Sequence, residues 1–340
     1  MIRKNIVLGH GSGGKLTDEL IRSVFVKHFD NEILSVQGDS AILPLKASLL
    51  SFTSDSFVVN PLFFPGGNIG TIAIAGTVND LAVSGAKPLY LSAAFILEEG
   101  FPLDDLEQIV ISMAKEARLA GVKIVTGDTK VVERGHADGV FINTSGIGLL
   151  VEGRKAISTG SRIAVGDKIL INGPIANHGM AIMAERNSLN ISADIKSDCA
   201  SLNALIDSVF NVCAESDIKF MRDATRGGLS SVLCELFDKK TFGVEIREDR
   251  VPIDDNVVGM CELLGFDPFH VANEGKLVMV VDGKKAEHIL NAMQKHPLGK
   301  QAAIIGDITA SHPGKGHIIT SVGGKRVIDR LAGEQLPRIC

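Results

Sequence analysis

The groups in this sequence that could do chemistry are a thiol at its end, carboxylates beside small residues, and a glycine loop near its start. The last four residues are Pro337-Arg338-Ile339-Cys340. Pro337 favours an extended backbone, Gly333 offers a hinge, and no residue follows Cys340 to pack or cross-link it. Such an arm could carry its sulfur to more than one place, as a tethered substrate or a nucleophile. The plain alternative is a cysteine serving as a small hydrophobe. Four acids recur in the first half: Asp39 in Gly38-Asp39-Ser40, Asp55 in Ser54-Asp55-Ser56, Asp80 after Asn79, and Asp128 in Gly127-Asp128-Thr129-Lys130. One Gly-Asp pair is ordinary turn chemistry, and an Asp80 on an exposed helix face would be equally plain. Together the four suit a hard cation such as magnesium that bridges phosphates.

Arg222-Asp223-Ala224-Thr225-Arg226-Gly227-Gly228-Leu229 places an acid, a cation and two glycines at a helix start, where free N–H groups and the helix dipole favour an anion. Gly9-His10-Gly11-Ser12-Gly13-Gly14-Lys15 nearly matches a P-loop, but Leu16 stands where Ser or Thr should hold magnesium. It is a loop whose N–H groups can close over phosphates, or a linker. Lys130 and Glu274, each after a turn at a strand edge, form the best proton-transfer pair. His178 reads as structural rather than catalytic. The residues alone reach an enzyme that uses a nucleoside triphosphate and metal, with Cys340 acted on or acting.

The elements that must position these groups follow from periodicity. Short strands are predicted at Leu49–Thr53, Tyr90–Leu97, Val122–Val125, Gly139–Leu150, Lys168–Asn172 and Lys276–Val281, with two more before the tail. Helices are predicted after the glycine loop (Thr17 as cap; Leu20, Ile21, Val24 and Phe25 buried), over 69–85, Leu103–Ala120, to Met183, 200–216, to Phe237 and near 284–296. On the helix over 69–85, Ala73, Gly76, Asp80 and Ser84 share a face. The order of elements fits α+β in each half.

The chain has 340 residues, enough for two domains, with 45% hydrophobic and 22% charged residues. A net charge of −5 without a basic stripe gives no footprint for nucleic acid. Cysteines at 199, 213, 234, 261 and 340 lack CxxC spacing, which excludes a zinc finger and argues against a disulfide scaffold; the four internal ones read as core. No leader or membrane span is evident, so a cytoplasmic location is expected.

The glycine run at 9–14, Thr77-Val78-Asn79-Asp80-Leu81-Ala82-Val83-Ser84-Gly85-Ala86, Gly127-Asp128-Thr129-Lys130, Asp223-Ala224-Thr225-Arg226-Gly227-Gly228-Leu229, Asn273-Glu274-Gly275 and the terminal Pro-Arg-Ile-Cys together resemble the HypE family. These are the carbamoyl dehydratases of NiFe-hydrogenase maturation. The resemblance runs from about residue 8 to the end, and the tail is its most specific part. The resemblance implies a two-domain α+β PurM-like fold. Residues 1–37 would carry the glycine loop and first helix, 38–153 an αβ domain that pairs in a homodimer, 154–332 an α+β domain, and 333–340 a mobile tail. ATP and magnesium would lie among Gly11, Ser12, Gly13, Gly14, Asp39, Asp55, Asn79, Asp80, Asp128, Thr129 and Asp223, with Asp39, Asp55, Asp80, Asp128 and Asp223 as metal ligands.

The implied reaction has the carbamoyltransferase HypF load Cys340. ATP then phosphorylates the carbamoyl oxygen, loss of phosphate leaves thiocyanate, and cyanide passes to iron on HypC–HypD. Arg226 would neutralise phosphoryl oxygens, with Glu274 the base and Lys130 orienting it. A selenophosphate synthetase is the rival within the superfamily, but it typically carries a reactive Cys or selenocysteine near its N-terminus, and no cysteine here precedes Cys199. The rival of another class is a non-catalytic nucleotide-binding scaffold with a docking tail.

Overall fold

A computed structural model describes residues 5–12, 15–36, 43, 49–186, 195–330, 336 and 338–340. Gly13, Gly14, Asp39, Gly333 and Pro337 lie outside them. Helix α1 (Lys15–Leu20) runs through a π-helical turn (Ile21–Val26) into α2 (Lys27–Phe29). The helix starts ahead of Thr17, which therefore does not cap it; the Thr17 hydroxyl donates to Gly9 O at 3.3 Å. Leu20, Val24 and Phe25 are buried as their spacing predicts, and the Phe25 ring centroid lies 4.8 Å from that of Phe95.

The first sheet is built from β1 (Leu50–Phe57), β4 (Ala86–Glu98), β5 (Lys123–Val132) and β6 (Val140–Leu150), with a small hairpin β2 (Phe63–Phe64) and β3 (Gly67–Asn68) beside it. Its order is β1-β6-β4-β5, antiparallel except for the β4/β5 pair. Helices α3 (Ile69–Val83) and α4 (Leu103–Ala120) supply the rest of this core. Asn68 caps α3, its Oδ1 accepting from Gly70 N and Thr71 N at 2.9 and 3.1 Å. The small residues of α3 bury it on nearly all sides. At Gly70, a Cβ would stand 2.4 Å from Ile109 O, so only glycine admits α4 there. Two strands run further than their apolar cores suggest. Parallel pairing with β4 carries β5 to Val132, so Asp128, Thr129 and Lys130 lie within a strand and not in the turn after one. Asp55 likewise sits inside β1.

The second half forms a sheet of order β13-β12-β9-β11-β7-β10-β8. Its strands are β7 (Lys168–Ile171), β8 (Ile218–Asp223), β9 (Gly243–Arg247), β10 (Leu277–Val281), β11 (Ala303–Thr309), β12 (Gly316–Ile319) and β13 (Lys325–Val327). Its helices are α5 (Asn177–Arg186), α6 (Asn203–Phe210), α7 (Gly228–Phe237), α8 (Asp255–Leu264) and α9 (Ala286–Lys295). β10 is buried on both faces, which is why it reads as an unbroken apolar run. Its Val278 and Val280 pack in the cluster with α7, while Leu277 and Met279 pack with α6 and α9. The helix expected over 200–216 is only Asn203–Phe210, followed by a 3-10 turn at Glu215–Asp217. Strands β8 and β9 and helix α8 are absent from the periodicity reading. One apolar cluster crosses between the halves and takes in Phe57, Met180, Val257, Leu336 and Ile339.

Candidate active site

The glycine loop lies directly on β5. A Cβ on Gly11 would stand 2.4 Å from Val131 N, so the backbone passes where no larger residue fits. Loop and first helix close over a cavity of about 200 Å³ whose lining includes Gly11, Thr17, Phe25, Phe95, Asp128 and Lys130. Lys130 Nζ stands 3.0 Å from Asp128 Oδ1, and this bond holds the exposed Asp128 carboxyl below its ordinary range.

A second group of acids gathers between the halves. Burial pushes the Asp80 carboxyl up and Asp55 adds to it, against the Thr53 hydroxyl, which donates to Asp80 Oδ2 at 2.8 Å. Asp223, at the end of β8, is pushed up to about 7 by burial, with Asp80 and Asp55 adding and Arg222 opposing. Thr53, Asp80, Ser84, Ser158 and Arg222 line a cavity of about 230 Å³.

The single polyacidic site read from the sequence therefore divides in two. β1 and β5 are opposite edges of one sheet, three strand spacings or about 14 Å apart. Among the described residues, no three His, Cys, Asp or Glu side chains stand close enough to hold a metal ion.

Glu274 sits deeper. Its side chain is buried, and Oε1 has no hydrogen-bond partner among the described residues. Burial, then the charges of Asp198, Asp223 and Asp55, raise its carboxyl well above the ordinary value, with Arg226 opposing. Lys130, expected as its proton-transfer partner, is bonded to Asp128 at the far sheet edge. The backbone at Glu274 is held by Asp198, whose Oδ1 and Oδ2 accept from Glu274 N at 3.2 Å and Gly275 N at 3.1 Å. Burial opposes charge on Asp198, but Lys276 Nζ at 2.9 Å and these amides hold its carboxyl below the usual range.

Asn79 joins the halves. Its Nδ2 donates to Ala200 O at 3.1 Å and Glu274 O at 3.4 Å, and its Oδ1 accepts from Leu202 N at 2.7 Å. Both ends of its amide are thus engaged by backbone of the second half. Arg226 is exposed just ahead of α7. Gly228 has φ +59, and a Cβ there would stand 2.5 Å from Val271 O, so this turn requires glycine.

The tail lies along the edge segment after β1. Val58 N donates to Cys340 O at 3.1 Å and Asn60 N to Arg338 O at 3.2 Å, an antiparallel addition. Arg338 Nε donates to Val58 O at 3.0 Å, its guanidinium pairs with Asp138, and Arg186 donates to Asn60 O and Arg338 O. Leu336 and Ile339 are buried and Cys340 is half-buried. The four residues described here are thus docked, where a mobile arm was expected. His178 is buried, as a structural histidine would be, and its Nε2 donates to Ile339 O at 2.7 Å. Arg186, Ser197, Asp198 and Lys276 carry no local signal; only the fold brings them here. The internal cysteines are unbridged, and burial pushes the Cys199 thiol up to about 12, far from reactive.

Residues 37–150 match the family model of the AIR synthase related protein N-terminal domain, and 164–319 that of its C-terminal domain. The chain is 48% identical over 335 residues to the carbamoyl dehydratase HypE of Rhizobium leguminosarum bv. viciae, covering 98% of this chain and 95% of that protein. The solved structure of hydrogenase maturation protein HypE in complex with ATP superposes with a TM-score of 0.93 at 45% identity, covering 98% of this chain and 99% of that one. The structure of a HypE–HypF complex matches at 0.79 and 47%, over 94% and 100%. Identity sustained over both domains, on the same PurM-like α+β fold, makes this chain a member of the carbamoyl dehydratase HypE family of hydrogenase maturation.

Proposed function

We propose that the chain dehydrates a carbamoyl group carried on the Cys340 sulfur to a thiocyanate at the expense of ATP, and supplies the cyanide for hydrogenase iron. The observation that carries this reading is the docked tail. Half-buried Cys340 packs against the core shared by both halves, which also contain the buried Glu274, whose Oε1 has no hydrogen-bond partner among the described residues. The ATP complex of a relative 45% identical supports the nucleotide, and the HypE–HypF complex supports HypF as the donor of the carbamoyl group. HypC–HypD is the proposed cyanide acceptor.

An amide oxygen leaves poorly until it is phosphorylated. Transfer of the γ-phosphoryl to the carbamoyl oxygen, with loss of one N–H proton, gives an S-bound imidate phosphate and ADP. Breaking its C–O bond with loss of the second N–H proton gives S–C≡N and inorganic phosphate. Glu274 is the proposed proton acceptor: it is buried, and burial raises its proton affinity above that of an ordinary carboxyl. Arg226, exposed just ahead of α7, would neutralise phosphoryl oxygens. The mutual repulsion of Asp55, Asp80 and Asp223 fits a divalent cation held by one or two carboxylates, with phosphate oxygens and water completing its shell. Magnesium there would neutralise phosphoryl oxygens.

The test is peptide mass spectrometry of the protein with HypF, carbamoyl phosphate and ATP–magnesium. Cys340 should gain a carbamoyl mass and then lose one water only with hydrolysable ATP. ATP consumption with an unmodified Cys340 would overturn the reading.

A further inference from the structure

We propose that His178 is a positioning residue for the tail: its ring, fixed in one tautomer by Ser197, clamps the Ile339 carbonyl and so sets where the Cys340 sulfur rests. The inference depends on Cys340 being the group acted on.

Ile339 O can only accept, so Nε2, 2.7 Å away, carries the ring proton. Nδ1 lies 2.8 Å from Ser197 Oγ, and Ser197 Oγ already accepts from Cys199 N at 3.1 Å. In a neutral ring whose one proton sits on Nε2, Nδ1 is an acceptor, so the Ser197 hydroxyl donates to it and holds Nε2–H toward the tail. Burial also favours that neutral form and outweighs the Ile339 hydrogen bond and Asp198, which favour the charged ring; Arg186 acts with burial. The Phe64 ring stands edge-on to the imidazole, with centroids 5.4 Å apart.

Arg338 has φ +52, so the tail turns there; the carbonyls of Arg338 and Cys340 face Asn60 N and Val58 N, and that of Ile339 faces His178. The next residue of α5, Gly179, presents bare backbone to the tail: a Cβ there would stand 3.1 Å from Leu336 Cδ1. Ser197 and Asp198 are neighbours, so the residue that orients the imidazole adjoins the one that holds the Glu274 backbone. Tail and buried acid are thereby set from one short segment. A histidine that merely filled the core would affect stability without aiming the thiol.

The test uses the full chain with His178→Phe, His178→Gln and Ser197→Ala. One readout needs no activity: the rate at which a maleimide labels Cys340, followed by peptide mass spectrometry. The other is single-turnover dehydration of protein carbamoylated by its transferase, with KM for ATP separated from the rate. His178→Phe should label Cys340 about tenfold faster, the ratio one buried hydrogen bond is worth, and dehydrate slower by a similar factor at unchanged KM. His178→Gln, whose amide N–H can reach Ile339 O, should restore most of both.

Unchanged labelling in folded His178→Phe, or no rescue by Gln, would overturn the assignment. Should the Phe variant fail to fold, Ser197→Ala keeps the ring but frees its tautomer and must raise labelling; unchanged labelling there overturns it too. If labelling responds while even the parent dehydrates nothing, the reading of Cys340 falls and the clamp stands.

Discussion

Asp55 and Asp128 sit at opposite edges of one sheet and point to opposite faces. The register runs Asp55–Thr144–Ala93–Gly127, so Asp55 shares the helix-covered face with buried Thr144. Asp128 aligns instead with Ala94, Asn143 and Ser56 on the uncovered face. One chain cannot bring both to a single ion. The open face presents Leu50, Ile96 and Phe52, the last 70% exposed, and is the face on which the homodimer expected from the family resemblance would seat a second copy. Phe52→Glu should therefore weaken self-association about 100-fold, ~3 kcal/mol, and lower ATP turnover with it. Sedimentation of parent and variant decides this; a parent that is monomeric at all concentrations would remove the dimer.

The acids between the domains give a pH dependence whose sign is set. A carboxyl whose folded-state pKa is raised stabilises the fold most below its ordinary range, and loses that contribution as pH rises through its folded value. Asp223 is pushed up to about 7, and Glu274 well above its ordinary value, in both cases by burial first. The melting temperature of the ligand-free protein should thus fall between pH 5 and pH 8. Glu274→Gln should flatten that fall while slowing dehydration about 100-fold or more. A Gln variant with the parent's pH slope and parental rate would take Glu274 out of both roles.

Asn79 offers a measure of how firmly the halves are joined. Asn79→Ala leaves Leu202 N without its partner and strips one from Ala200 O and Glu274 O. A loss of about 1–3 kcal/mol is expected in urea unfolding, with HypF-dependent labelling of Cys340 intact. A variant as stable as the parent would mean that the joint lies elsewhere.

Much of this architecture is legible in the sequence because it is local. The Leu103–Ala120 helix has an unbroken amphipathic period and ends on a left-handed Gly121, and its bounds agree with the pattern. β5 defeats the reading because Gly127 to Lys130 carry turn signals in the middle of the strand and are held extended by their pairing with β4. The same override by tertiary contact hides the site's geometry. The acids are visible one by one, but which edge and face each occupies depends on a register that no spacing encodes. His178 reads as an ordinary structural histidine because nothing near it in sequence marks a role; its partner Ile339 lies 161 residues further on.

The buried pair Asp198–Lys276 gives the last prediction. Asp198 and Lys276 are both nearly inaccessible, and the carboxylate also accepts two backbone amides, so its charge is fully committed. Removing the cation alone strands that charge: Lys276→Met should cost about 3–5 kcal/mol. Asp198→Asn added to Lys276→Met removes the stranded charge and should recover part of the loss, so the two substitutions should be strongly non-additive. Urea unfolding of the two single variants and the double variant at pH 7 measures the coupling. Simple additivity would show that the amides, and not Lys276, keep Asp198 ionised. In that case acid would destabilise the Lys276→Met protein as it does the parent, since a depressed carboxyl loses its contribution as pH falls.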